Sequence, residues 1–567
     1  MRRRHPPSSH VAILATVAVL ATAVLLTAAR ADVDPAVLEA EAGRVETIRR
    51  VSAAAVSIFA GDAGGGSGVL VSPDGLTLTN FHVVQPAGPA LTCGLADGRL
   101  YDAVVVGLDP TGDVALVKLL GRDDFPHATL ATDDDVRPGD FCFAAGNPFL
   151  LATDLQPSIS AGIVSGVHRY QDPAGTILEY TDCLQVDAAI NPGNSGGGLF
   201  DAAGRLIGVN GRASFDKRGR VNVGAGYAIA AHQLRNFLGC LRSGRIVDHA
   251  TLGATVATGA DGRVVVSDIL ESSDAWRRGL RIDDEVVSLA GRPVRTANAF
   301  KNVLGTLPAG WQVPIAWRRD GRRGEALVRL AGVHTPTALA AIVAGGEPAA
   351  GPALQRPGPA ADGLPAAVRG LYEPRMGYAN FHFNGVERAR VARGIAGRPA
   401  PATWQLDGTL DGGGRFRILL DDERAAIDLP TGSSEIDPQG DLDRDEPPGS
   451  GGLLAALVLW RRLVREGPAA VGGTVYRGTA PADPATLGGP GDTGLVDVLE
   501  TAAGGVRAHV GVNAAGEIVW IDLWTGADAD PCELRFGPPA AGGLPTTIVA
   551  RRGTEPFAGF AVVGAAP

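Results

Sequence analysis

Ser195 lies in Gly193-Asn194-Ser195-Gly196-Gly197, a hydroxyl carried on a turn built from glycine. An unassisted serine hydroxyl is a poor nucleophile at neutral pH, so acyl transfer also needs a base to take its proton and N–H donors to hold the oxyanion. Candidates for the base and its orienting carboxylate precede the serine. His82 lies in Thr79-Asn80-Phe81-His82-Val83-Val84, where a strand runs into a short turn, and Asp113 lies in Gly112-Asp113-Val114-Ala115-Leu116-Val117, a turn entering an apolar strand. Singly, His82 reads as an ordinary core or surface histidine and Asp113 as a turn carboxylate beside glycine. Together, in the order His, Asp, Ser, each at a strand edge within one β-rich region, they match a chymotrypsin-type triad.

The same five residues satisfy G-x-S-x-G, the nucleophile elbow of α/β-hydrolase esterases. That elbow feeds a helix, whereas Ser195 is followed by Gly196-Gly197-Gly198, and each glycine opposes helix by about 1 kcal/mol relative to alanine. The partners in an α/β-hydrolase also follow the serine. The esterase remains a minor alternative.

The elements that must position these side chains are short apolar runs separated by turn signals, from Val56-Ser57-Ile58-Phe59 to about Ala230, including Gly68-Val69-Leu70-Val71 and the run from Ala103 to Leu108. Many short strands at such spacing predict a sandwich or a pair of barrels rather than βαβ units. A helix is expected from Asp34 to Arg50, with Asp34 capping and Pro35 in the first turn, and a short closing helix from Gln233 to Leu241. A second unit, 248–333, carries strands at Val264-Val265-Val266, from Glu285 to Ala290 and from Val313 to Trp317, with helical stretches from Ser273 to Arg278 and from Ala297 to Leu307. Residues 334–365 are dominated by Ala, Pro and Gly, the composition of a linker. Residues 366–567 read as β-rich, with strand-like alternation in Phe381-His382-Phe383, from Arg415 to Leu420, from Val506 to Val512 and from Ile518 to Trp524, and one helix from Leu453 to Val464. Asp441, Asp443 and Asp445 superficially suggest a calcium loop, but Glu446 stands where such a loop needs glycine, and a solvated acidic loop is the simpler expectation.

Three segments, Thr79 to Val84, Gly112 to Val117 and Asp187-Ala188-Ala189-Ile190-Asn191-Pro192-Gly193-Asn194-Ser195-Gly196-Gly197, resemble the signature segments of HtrA (Deg) serine proteases. The resemblance covers about residues 34 to 333 and departs at Gly198, where the family usually has proline. It implies a chymotrypsin-like double β-barrel over 32–245 and a PDZ domain over 248–333; with the β-rich C-terminal domain, whose fold the sequence leaves uncertain, the chain reads as mainly β. It assigns His82, Asp113 and Ser195 as the triad and the backbone around Gly193, Asn194 and Ser195 as the oxyanion hole. It lines a specificity pocket with Ala189, Ile190, Val209, Asn210 and Gly211. No acidic residue stands where a trypsin-like pocket would place one, so cleavage after small aliphatic residues is expected. Thr251-Leu252-Gly253-Ala254 resembles a PDZ carboxylate-binding loop for C-terminal peptides. By the same resemblance the protease domains would form a homotrimer through residues 34–50. The implied activity is an exported endopeptidase acting on unfolded or damaged envelope proteins; a non-enzymatic, chaperone-like peptide-binding scaffold is the alternative.

The 567 residues are enough for about three cores. A net charge of -10 and the absence of basic clusters with interleaved aromatics argue against nucleic acid as a partner. Arg2-Arg3-Arg4, an apolar run from Val11 to Ala28 and Ala29-Arg30-Ala31 form an export signal over 1–31, placing the protein in the periplasm or cell envelope. The run of about 18 residues is also long enough to remain as a membrane anchor. Cys93, Cys142, Cys183, Cys240 and Cys532 form no C-x-x-C pair, so no zinc or redox motif is indicated. Buried free thiols are the simplest expectation, although export permits one or two disulfides. No His/Cys/carboxylate cluster has ligand spacing, so no metal or other cofactor is implied.

Overall fold

The β-branched and apolar runs of the first half are each too short to bury their faces alone, and they do so by closing into two six-stranded antiparallel barrels. The computed structural model describes residues 33–566 apart from 61–63, 133–134, 149–151, 172–177, 216–221, 346–363, 397–400, 490–493, 528 and 541–542. The export signal expected over 1–31 lies outside the described residues. The helix Pro35–Ala54 follows Asp34, whose carboxylate accepts the N–H of Ala36 at 2.9 Å.

The first barrel runs Ala55–Phe59, Gly65–Leu70, Leu76–Thr79, Val114–Leu119, Leu100–Asp109 and Ala90–Leu95 in spatial order, around Val56, Ile58, Leu70, Val105 and Val117. The second runs Gly198–Asp201, Leu206–Phe215, Asn222–Ala230, Tyr180–Val186, Ser158–Gln171 and Phe141–Gly146. The helix Ala231–Arg242 follows directly. This antiparallel double barrel is not the parallel, doubly wound sheet of an α/β-hydrolase. The residues after Ser195 enter the strand Gly198–Asp201 rather than a helix. The glycine at 198 has a local cause: a Cβ there would come within 2.4 Å of the Phe200 ring.

Strands Ala254–Thr258, Val264–Ile269, Glu285–Leu289, Gln312–Arg319 and Arg322–Arg329 form the next sheet, with Ala254–Thr258 at one edge. Ser273 and Thr296 cap its helices Asp274–Arg277 and Ala297–Gly305 through their hydroxyls. This unit is joined to the second barrel at Asp182, a fully buried residue at φ 51°. Its carboxylate meets Arg292 at 2.7 Å, His232 at 2.8 Å and His168 at 2.9 Å. Its N–H donates to Asn302 at 2.9 Å. Burial alone would raise this carboxyl's pKa, but hydrogen bonds from His168, His232 and Arg292 hold it well below the usual carboxylate range.

The stretch expected as linker contains a helix, Pro336–Val343, whose N-cap Thr335 accepts the N–H of Ala338. Thr-Pro followed by an alanine-rich run is a helix start, and this local signal outweighs the regional composition. Residues 346–363 lie outside the described set.

Beyond them, an eleven-stranded antiparallel sheet wraps the helix Leu453–Arg465, which buries Leu453, Leu457, Trp460 and Leu463. The expected strand at Phe381-His382-Phe383 is instead the start of a second helix, His382–Ala396. Three alternating residues are too few to fix a period, while Glu387, Val391 and Ile395 are buried at helical spacing. Asp445 closes the turn before Leu453 by accepting the N–H groups of Gly449 and Gly451 at 3.1 and 2.7 Å. All five cysteines are free, and burial pushes the thiols of Cys93, Cys142 and Cys183 up to about 12.

Candidate active site

The strand Leu76–Thr79 ends at Asn80, and the single helical turn Phe81–Val84 holds His82 between buried Phe81 and Val83. The imidazole side chain is 41% exposed and faces solvent while its Nδ1 side is tied down. Nδ1 lies 2.8 and 3.0 Å from the two carboxylate oxygens of Asp113, and the main-chain N–H of His82 donates to the same carboxylate at 3.0 Å. With the ring proton held at Nδ1, Nε2 is left as the acceptor. Burial acts to lower the His82 pKa, but the charge and hydrogen bond of Asp113 outweigh it and raise the pKa above the ordinary value.

Asp113 is fully buried and sits at φ 58°, a left-handed conformation that needs support from outside the residue. Its own carbonyl accepts Asn80 Nδ2 at 2.8 Å. Beneath the turn, Asp109 accepts the N–H of Gly112 at 2.8 Å and pairs with buried His249 at 2.9 Å. The Asp113 side chain has a further donor: the hydroxyl of Tyr180, the first residue of the strand Tyr180–Val186, donates to its Oδ2. Tyr180 is 3% exposed. Gly211 makes room for it, since a Cβ at 211 would stand 2.6 Å from the tyrosine oxygen.

The serine turn is clamped from the first barrel. Ser67 donates its N–H to the Ser195 carbonyl at 2.8 Å and its hydroxyl to the Gly193 carbonyl at 2.6 Å. Gly196 sits at φ 85°, where a Cβ would come within 2.2 Å of the Ser67 carbonyl oxygen. Only glycine lets the two barrels approach this closely. The Ser195 hydroxyl donates to the Gly211 carbonyl at 3.1 Å; it makes no hydrogen bond to His82. Gly193 is at φ 100°, and neither its N–H nor that of Ser195 has a partner among the described residues. Asn194 lies between these two N–H groups. Its N–H is bound to the Asn191 carbonyl at 2.9 Å and its side chain is buried, so it offers no donor to an oxyanion.

The residues expected to line a specificity pocket are divided. Ala189 is exposed and Ile190 buried. Val209 and Asn210 are wholly buried, and Asn210 spends its amide on the Gly198 carbonyl at 3.1 Å. The main chain of Asn210 is taken as well, its N–H by the Gly197 carbonyl at 2.8 Å and its carbonyl by the Gly196 N–H at 2.7 Å. In the next unit, Gly253 at φ 71° has its N–H bound by Thr251 Oγ1 at 3.1 Å, Leu252 is buried, and Ala254 opens the edge strand.

Ser67 and Tyr180 were not singled out in the sequence. Ser67 follows three glycines in Gly64-Gly65-Gly66-Ser67-Gly68, a run flexible enough to approach another backbone, and this was the one available signal. Nothing local distinguishes Tyr180. Replacing Tyr180 with phenylalanine removes one hydrogen bond to a buried carboxylate, and kcat for a peptide substrate is expected to fall about tenfold with KM little changed. An unchanged kcat for Tyr180→Phe would mean that the hydroxyl does not position the dyad.

Residues 66–209 match the trypsin-like peptidase domain. The probable periplasmic serine endoprotease DegP-like of Chlamydia trachomatis is 33% identical over 293 residues, covering 50% of this chain and 56% of the relative. The periplasmic serine endoprotease DegP of Escherichia coli is 34% identical over 271 residues, covering 46% and 55%. The chain spans about half the length of the curated relatives it matches. A solved HtrA-type protease, AlgW with tripeptide, aligns over 52% of this chain and 98% of its own at 30% identity, with a TM-score of 0.43. Over about half its length the chain is thus similar to serine endoproteases named DegP, and residues 66–209 match a trypsin-like peptidase domain.

Proposed function

We propose that the protein is an exported serine endopeptidase that cleaves unfolded polypeptides through an acyl-enzyme. The observation that carries this reading is the buried Asp113 carboxylate fixing the His82 ring in the same barrel whose Ser67 clamps the serine turn, where the N–H groups at 193 and 195 are unpartnered among the described residues. In this reading the Ser195 hydroxyl leaves the Gly211 carbonyl and donates to His82 Nε2. Oγ then attacks the scissile carbonyl as His82 takes the proton. Asp113 stabilises the imidazolium, the N–H groups of Gly193 and Ser195 hold the oxyanion, and His82 returns the proton to the leaving amine. Water repeats the sequence to release the acyl group.

Homology to proteins named periplasmic endoproteases supports export to the periplasm. The free edge of the strand Ala254–Thr258 supports C-terminal peptide binding by strand addition next to Thr251, Leu252 and Gly253. The exposed Val37, Leu38 and Val45 on the first helix support self-association through residues 34–50.

Casein digestion with an added C-terminal peptide tests the reading. Degradation is the expected result, and an intact substrate at every peptide concentration favours the non-enzymatic scaffold, in which Ser195 stays on Gly211. Two further outcomes are expected. Because protonated His82 cannot accept the serine proton, and its pKa is raised, the acid limb of kcat/KM should lie above the ordinary histidine value of about 6.5. A limb at or below that value contradicts the Asp113–His82 coupling. A peptide-library digest should show cleavage after Val or Ala, since Ile190 and the backbone of 209–211 offer no charge to a basic side chain; cleavage confined to Lys or Arg sinks this preference.

A further inference from the structure

A cavity of about 250 Å³ lies where the first half of the chain, the second unit and the C-terminal sheet meet. Its wall includes Arg245, Arg329, Arg477, Arg535, His509 and Trp520. The charges around it do not balance. Asp522 is shared by Arg329 at 2.7 Å and Arg535 at 2.6 Å. Glu500 pairs with Arg477 at 2.8 Å and reaches Arg245 only at 3.6 Å. Glu533 stands 3.4 Å from Arg329 and 3.5 Å from Arg535. Burial, then the charge of Asp522, resists its ionisation. Arg507, outside this wall, packs over Trp524 at 4.8 Å with no carboxylate in ion-pairing range among the described residues. Asp248, the other carboxylate on the wall, is taken by His334 at 2.9 Å.

Four guanidiniums on the wall therefore share the three carboxylates Asp522, Glu500 and Glu533, and several polar atoms beside them are unsatisfied. His509 Nε2, Trp520 Nε1, Arg245 Nε and Thr479 Oγ1 are buried without a hydrogen-bond partner. The His509 side chain is 8% exposed and Trp520 5%. Burial and the surrounding arginines keep His509 neutral, a form that can carry its proton on Nε2. Buried donors without acceptors cost stability, and each needs an explanation. A cation would be repelled, and an apolar guest would leave the donors unmet.

We propose that this cavity is a binding site for a small oxyanion, a phosphate or carboxylate group, held by Arg245 and Arg477 and by the N–H groups of His509 and Trp520. Charge-assisted hydrogen bonds from guanidinium and ring N–H groups suit such a ligand. The volume is several times the roughly 30 Å³ share of one water. The site is independent of the triad, and its test does not use peptidase activity. Isothermal titration of the full-length protein with inorganic phosphate and separately with succinate, each against chloride at equal ionic strength, distinguishes the two sources. Saturable binding of either, one per chain and accompanied by a rise in the unfolding midpoint, is the expected result. Trp520→Phe keeps an aromatic ring there and removes the indole donor, and it should weaken binding about tenfold; Arg477→Gln should weaken it further. No saturable binding of either anion at millimolar concentration overturns the proposal. Binding unchanged in Trp520→Phe overturns it as well, even if Arg477→Gln fails to fold.

Discussion

Ser195→Ala is expected to lower kcat for casein or a peptide substrate by on the order of 10⁶, leaving only what binding and the oxyanion donors supply. The effect should come without loss of fold. The Ser195 side chain makes one hydrogen bond, to the Gly211 carbonyl, whereas the clamp onto Ser67 runs through the main chain of residues 193 and 195. The unfolding midpoint of Ser195→Ala should therefore match the parent, so a loss of activity reports chemistry. Retained activity in a folded Ser195→Ala protein would place the nucleophile elsewhere.

Asp113→Asn is expected to lower kcat by about 10⁴. The Asp113 carboxylate accepts from three donors, the His82 main-chain N–H, His82 Nδ1–H and the Tyr180 hydroxyl. An asparagine has one acceptor oxygen, and its NH₂ group would face donors. The ring would be driven to the tautomer with its proton on Nε2, which cannot accept from Ser195. Because the site is fully buried, some stability should be lost too, by about 1–3 kcal/mol for a buried group left unsatisfied. The contradictory result is a variant whose kcat falls only in proportion to its folded fraction.

The chemistry-bearing residues were legible because their types are unusual in their settings. A hydroxyl flanked by glycines, a histidine at the end of an apolar strand and an aspartate after glycine each break a local pattern, and the structure joins His82 to Asp113 directly. The barrels were legible through short apolar runs and turn signals. What supports the site was not. Ser67 and Tyr180 act through contacts 126 and 67 residues away in the chain, and no local pattern encodes such pairings. Nor does the sequence show that the N–H of Asn194 is spent inside its own turn, on Asn191. The helix His382–Ala396 was hidden by a three-residue alternation at its start, although Glu387, Val391 and Ile395 carry the helical period further along. The helix Pro336–Val343 was hidden by the alanine, proline and glycine around it. Both errors came from taking too short or too broad a window on the pattern.

The central claim is that Ser195 is a nucleophile activated by His82. Reaction of the intact protein with a fluorophosphonate, followed by mass mapping of the adduct, tests it most directly. The account predicts one adduct per chain, on Ser195, formed more slowly as His82 becomes protonated and absent in Ser195→Ala and His82→Ala. Labelling at another residue, or at Ser195 with equal speed in His82→Ala, would contradict it.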